Sequence, residues 1–153
     1  MIKNIIFDLG GVLIDFFPEI YLKHIGLNEE EIKLYKKMIW SSKEWYLGDR
    51  GDLSYPEILE AIYKNNPKYS KKLRYILENK NNDYILFEAS FAYDYLLSLK
   101  NKGYNLYFLS NVNKFDLKYD QEHFKIFNLV DGAVYSAEVR ICKTRKRMLP
   151  NIA

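Results

Sequence analysis

Lys3-Asn4-Ile5-Ile6-Phe7-Asp8-Leu9-Gly10-Gly11-Val12-Leu13 is the stretch that decides the fold of this chain. An apolar run that ends in Asp8 and meets two glycines almost at once reads as a buried parallel strand. It delivers one carboxylate to its carboxyl edge and then turns sharply. Open α/β sheets place their chemistry at that edge. Taken alone, Asp8 reads equally well as a helix cap or turn carboxylate, because Asp accepts bonds from free backbone N–H groups.

Two later segments separate these readings. Lys102-Gly103-Tyr104-Asn105-Leu106-Tyr107-Phe108-Leu109-Ser110-Asn111 is a second apolar run, ending in a hydroxyl and an amide. Asp131-Gly132-Ala133-Val134-Tyr135 predicts a third strand, and Lys143 follows it after Ser136-Ala137-Glu138-Val139-Arg140-Ile141-Cys142. In this order and at this spacing the three segments resemble the first three motifs of the haloacid dehalogenase-like (HAD) superfamily. Most members of that superfamily are phosphatases acting through an aspartyl-phosphate.

The resemblance implies a role for each motif residue. Asp8 is the expected nucleophile, and Lys143 neutralises the charge that develops on the phosphoryl group. Ser110 bonds a phosphoryl oxygen, Asn111 orients the substrate, and free N–H groups of the turn at Gly11 cradle the phosphate. Mg²⁺ is the expected cofactor, held by the Asp8 carboxylate and the Gly10 backbone carbonyl. Outside this combination Ser110 and Asn111 are ordinary cap and turn residues, and Lys143 an ordinary surface lysine.

The rest of the chain bounds the reading. At 153 residues, 48% hydrophobic and 28% charged, it has the size of one compact domain with an insertion. The net charge of +3 comes from lysines scattered among nearly as many acids, so no nucleic-acid partner is expected. Asp8 and Asp15 interrupt the first apolar stretch, which excludes a signal peptide or membrane span there. The single Cys142 has no internal disulfide partner and fits a reducing, cytoplasmic setting.

Between the first two motifs the pattern turns helical. Asn28 with Glu31 predicts a capped helix carrying Ile32, Tyr35 and Met38 or Ile39 toward Trp45, broken at Gly48-Asp49-Arg50-Gly51. Ser54-Tyr55-Pro56-Glu57 starts another with Ile58, Leu59, Ile62 and Tyr63 on its apolar face, and a third spans about 70–77. A core helix over about 88–102 presents Ala92, Tyr95, Leu96 and Leu99, and a further helix over about 113–128 carries Phe115, Phe124 and Phe127 inward. The expected fold is therefore α/β, a Rossmann-like parallel sheet with an inserted all-helical cap. Residues 1–15 and 86–153 form the core and 16–85 the cap, hinged near 15–18 and 85–88. The insert is similar to the helical cap of the HAD superfamily, and Trp40, Trp45 and Gly51-Asp52-Leu53-Ser54 resemble one subgroup of it.

Two departures from the family pattern stand out. Most of its phosphatases carry a second Asp two residues after the nucleophile as general acid and base; here that position is Gly10, although some members share the Asp-Leu-Gly motif. Asp15 is a weaker substitute. The fourth motif, an acidic pair that binds metal, has no counterpart in this sequence, and the tail Thr144-Arg145-Lys146-Arg147-Met148-Leu149-Pro150 is basic where relatives run into an amphipathic helix. Removing one base from a permitted back-translation after Lys143 restores Lys-Pro-Glu-Lys-Glu, so the tail reads as frame-shifted and the chain as a truncated, impaired enzyme. An exposed sheet edge at the first strand, open to self-association, is the expected consequence. The resulting function is a Mg²⁺-dependent phosphatase of a small phosphorylated metabolite. The alternatives are a noncatalytic fragment or pseudoenzyme and a dehalogenase-type hydrolase.

Overall fold

The computed structural model describes residues 2–143, so the reading of the tail from Thr144 onward lies outside the described residues. The chain runs β1 (Asn4–Phe7), β2 (Ile14–Phe16), α1 (Pro18–His24), α2 (Glu29–Ile39), α3 (Lys43–Asp49), α4 (Tyr55–Asn65) and α5 (Ser70–Glu78). It continues through β3 (Leu86–Glu88), α6 (Ala92–Asn101), β4 (Asn105–Ser110), α7 (Lys114–His123), β5 (Gly132–Tyr135) and α8 (Ser136–Val139). Short 3₁₀ turns occupy Pro67–Tyr69, Asn82–Tyr84 and Lys125–Leu129.

Three strands form a parallel sheet in the order β1-β4-β5. The register sets Phe7 opposite Phe108 and Ser110 opposite Tyr135, so Asp8 and Ser110 leave the sheet at the same carboxyl edge. The fold is α/β, as the three apolar runs predict. Leu96, Leu106, Phe108 and Ile126 are fully buried beneath it, with Leu13 and Ile14 closing the end of the cluster.

Expectation and structure part over β1. Its residues alternate between exposed and half-buried, and Ile6 is 46% exposed, where a buried strand is expected. Among the described residues β1 pairs with β4 alone, which leaves its other edge open.

The helical segment between β2 and β3 has its own core, in which Leu22, Ile39, Ile58, Ile62, Leu73 and Ile76 are completely buried. Local chemistry sets its helix starts. Asn28 Oδ1 accepts from the N–H groups of Glu30 and Glu31, both at 3.0 Å, while Glu31 accepts from Asn28 N–H at 3.0 Å. Ser42 accepts from Trp45 N–H at 3.1 Å and starts α3, so the helix expected from Asn28 to Trp45 is two helices.

Other elements also differ. Pro18 begins α1, a helix the sequence pattern did not announce, since Pro suits the first turn. Residues 86–88, within the hinge expected near 85–88, pair antiparallel with β2, Ile14 opposite Glu88, and the core helix expected from about 88 begins at Ala92 as α6. Tyr95 on α6 is exposed rather than inward. The helix expected over 113–128 ends at His123, where Phe124 adopts extended backbone before a 3₁₀ turn. Phe115 is 46% exposed and stacks on Tyr55, with ring centroids 4.0 Å apart and planes 6° from parallel, instead of entering the sheet core.

Candidate active site

Asp8 follows the last residue of β1 and is fixed from two sides. Its Oδ1 accepts from Leu9 N–H at 2.8 Å, and its Oδ2 meets the Lys143 ammonium in an ion pair. These residues are 135 positions apart in the chain. The turn that carries Lys143 is held by Asn111, whose Oδ1 accepts from Lys143 N–H at 2.9 Å. Asn111, expected to orient substrate, thus positions the lysine through its side-chain oxygen. Ser110 ends β4 and is buried.

After Asp8 the chain folds back on itself. The Leu9 carbonyl accepts from the N–H groups of Val12, Leu13 and Ile14, and Gly11 N–H donates to Ile14 O at 2.8 Å. Gly11 stands at φ +73°, a conformation that favours glycine. Its N–H is therefore engaged within the turn and is not the free phosphate donor expected of it. The Gly10 carbonyl takes no part in these bonds, and a side chain at Gly10 would meet nothing within 4 Å.

A cavity of about 470 Å³ opens beside this turn. Gly10, Gly11, Ser110 and Asn111 line one part of it, Phe16, Phe17 and Leu86 form an apolar wall, and Asp15, Asp49, Asp116 and Asp120 supply carboxyls. Sequence reading missed the last three. Asp116 and Asp120 lie four residues apart on α7, one helical face, beside the buried Leu117. That spacing, with Asn113 accepting from Asp116 N–H at 2.9 Å as the cap of α7, was the available signal.

Asp116 and Asp49 are held by a polar network spanning the helical segment and the sheet layer. Asp116 accepts from Lys80 Nζ at 2.7 Å, Asn82 Nδ2 at 3.0 Å and Asn113 Nδ2 at 2.8 Å. The Lys80 side chain is only 2% exposed, with its ammonium 4.9 Å from the Phe115 ring centroid and 5.5 Å from that of Tyr55. Asp49 accepts from Asn113 Nδ2 at 3.3 Å, and its backbone carbonyl accepts from the Ser136 hydroxyl. Gly51 at φ +81° lets the following turn close on α8: a Cβ there would lie 2.3 Å from Ala137 O. Burial pushes Asp49 up to about 6; the Asn113 bond opposes this and the charge of Asp116 adds to it. Burial likewise pushes Asp120 up to about 8, reinforced by Asp116 and only partly offset by Lys80.

The donors at the sheet edge fit a hard cation of low protein coordination. Mg²⁺ keeps several waters and takes one or two carboxylates together with substrate phosphate oxygens, and Asp8 with the uncommitted Gly10 carbonyl offers such oxygens. Among the described residues no group of three or more His, Cys, Asp or Glu is placed to hold a metal ion.

Comparison with known proteins bears on the fold. No protein-family model matches the chain, and no curated protein does. Among solved structures it is similar to a HAD family enzyme from Bacteroides thetaiotaomicron in complex with magnesium and inorganic phosphate. The TM-score is 0.73 at 22% identity, over 99% of this chain and 77% of that one. The chain has the HAD fold. A structure described as a predicted HAD-like family hydrolase from Porphyromonas gingivalis matches with a TM-score of 0.68 at 22% identity, covering 99% of this chain and 75% of that one. A dehalogenase matches at 0.68 and 20% identity, over 98% and 69%. Within the HAD fold the carboxyl edge of β1 and β4, where Asp8, Ser110 and Lys143 converge, is the place that chemistry at a sheet switch point occupies.

Proposed function

We propose that the chain is a HAD-type hydrolase, a Mg²⁺-dependent phosphatase of a small phosphorylated metabolite acting through an aspartyl-phosphate at Asp8. One observation carries the reading: three separate segments bring a carboxylate, an ammonium and a buried hydroxyl to one sheet edge beside a cavity. Asp8 supplies the oxygen that attacks phosphorus, and the bond from phosphorus to the leaving oxygen breaks. Lys143 and Ser110 face the charge that gathers on the phosphoryl oxygens. Water then attacks phosphorus and releases inorganic phosphate with Asp8 restored. Mg²⁺, when bound at Asp8 and Gly10, supplies charge neutralisation to the same oxygens. Gly10 offers no carboxyl, so the leaving oxygen takes its proton from solvent.

A second reading rests on the similarity to a dehalogenase: the same carboxylate opens a carbon–halogen bond, and no metal is needed. The test is turnover of p-nitrophenyl phosphate with and without Mg²⁺, in the native chain and in Asp8→Asn. The phosphatase reading expects Mg²⁺-dependent release that Asp8→Asn abolishes. Retained release in Asp8→Asn contradicts it, and halide release from a 2-haloacid without phosphate release favours the second reading.

A further inference from the structure

The cavity is chemically lopsided. Its end at Ser110 and Asn111 suits a phosphoryl group, whereas Asp49 and Asp120 elsewhere on its lining are carboxyls that form no ion pair among the described residues. The ammonium in their neighbourhood, Lys80, is engaged by Asp116 at 2.7 Å. Asp120 is 3% exposed, and its Oδ1 has no hydrogen-bond partner among the described residues. An unpaired carboxyl is costly to bury and asks for a donor. Among the described residues no three metal-ligating side chains surround a common point, so the acidic wall is not a dedicated metal cage. An organic cation suits it: it needs one or two carboxyls and tolerates an aromatic wall such as Phe16 and Phe17.

We infer that the substrate's leaving group carries an ammonium, received by Asp120 and Asp49, so that the substrate class is a phosphorylated amino alcohol. The inference rests on the phosphatase reading for the phosphoryl end and on the acidic wall for the other. The same wall disfavours leaving groups with a second phosphate or a carboxylate, because like charges would meet in a partly enclosed space. Burial raises the affinity of both carboxyls for protons, and a bound ammonium would favour their charged forms.

Calorimetric binding of 3-aminopropyl phosphate and propyl phosphate, which differ only in the ammonium, tests this on the full chain carrying Asp8→Asn, so that neither ligand is consumed. The amine is expected to bind about tenfold tighter or better, and Asp120→Asn added to that chain is expected to bring the ratio close to one. Asp49→Asn gives a second reading of the same ratio should Asp120→Asn fail to fold. Equal binding of the two phosphates, no binding of either, or a preference that survives both substitutions overturns the inference. Turnover of p-nitrophenyl phosphate by the native chain is read separately. Its absence alongside an intact amine preference removes the phosphatase reading and leaves the cation site standing.

Discussion

Asp8, Gly10 and Lys143 show how single residues divide the chemistry. Asp8 and Lys143 are joined in an ion pair, while Gly10, lining the cavity, has open space around it and ordinary backbone. An aspartate placed there fits without backbone strain. Gly10→Asp is therefore expected to raise turnover of alkyl phosphates, whose leaving groups need a proton, by about 10²-fold, the scale of general acid catalysis. Activated aryl phosphates should gain much less. Equal gains for both substrates, measured as kcat, would mean that the added carboxyl does not act as an acid. Lys143→Ala should lower kcat/KM by at least about 10²-fold, as the loss of one preorganised charge at a phosphoryl group does. Residues at strand ends were legible because the signal is local: an apolar run, then the polar residue. Asp116 and Asp120 carried only their spacing on one helical face as a signal, and Asp49 carried none, because tertiary packing alone brings it beside them.

At the scale of elements, α7 is tied to the helical segment by Lys80, Asn82 and Asp116, all largely buried. Removing one partner of a buried pair strands the other charge, at a cost of about 3 kcal/mol or more. Lys80→Met should therefore lower Tm by about 6–12 °C, given 2–4 °C per kcal/mol at this chain length; a change below about 2 °C would show that Asp116 is content with Asn82 and Asn113. Asp120 gives a pH dependence of definite sign. Its folded pKa stands at about 8, above the ordinary carboxylate value of an unfolded chain, so the folded state holds the proton more tightly. Its contribution to stability is complete below about pH 4 and is lost as pH rises toward 8. Asp120→Asn removes that loss, and its Tm should exceed the native value at pH 8 by about 10 °C or more while matching it near pH 4. Scanning calorimetry at the two pH values decides it. Helix starts with a strong side-chain cap, Asn28 with Glu31 above all, were readable from sequence; the break at Ser42 and the β2–β3 ribbon were not, because short strands of three residues carry no periodicity to detect.

For the molecule as a whole, the parallel sheet and its helical neighbour follow from the alternation of apolar runs and helical periodicity, and the similarity to HAD structures concerns that same architecture. No described helix is long and apolar enough to cross a membrane. We propose that copies of the chain pair along the edge of β1 that is unpaired among the described residues, where Ile6 is exposed. Ile6→Lys should shift light-scattering mass toward the monomer without altering the fold; an identical mass distribution at matched concentration would place any association elsewhere. The central claim is covalent. With Mg²⁺ and a phosphoryl donor, acid-quenched and digested protein should yield the peptide containing Asp8 one phosphoryl group heavier by mass spectrometry, with the added mass on Asp8 and absent from Asp8→Asn. A phosphate-releasing protein in which Asp8 never carries that mass, or carries it equally well when Asp8 is replaced, would contradict the account.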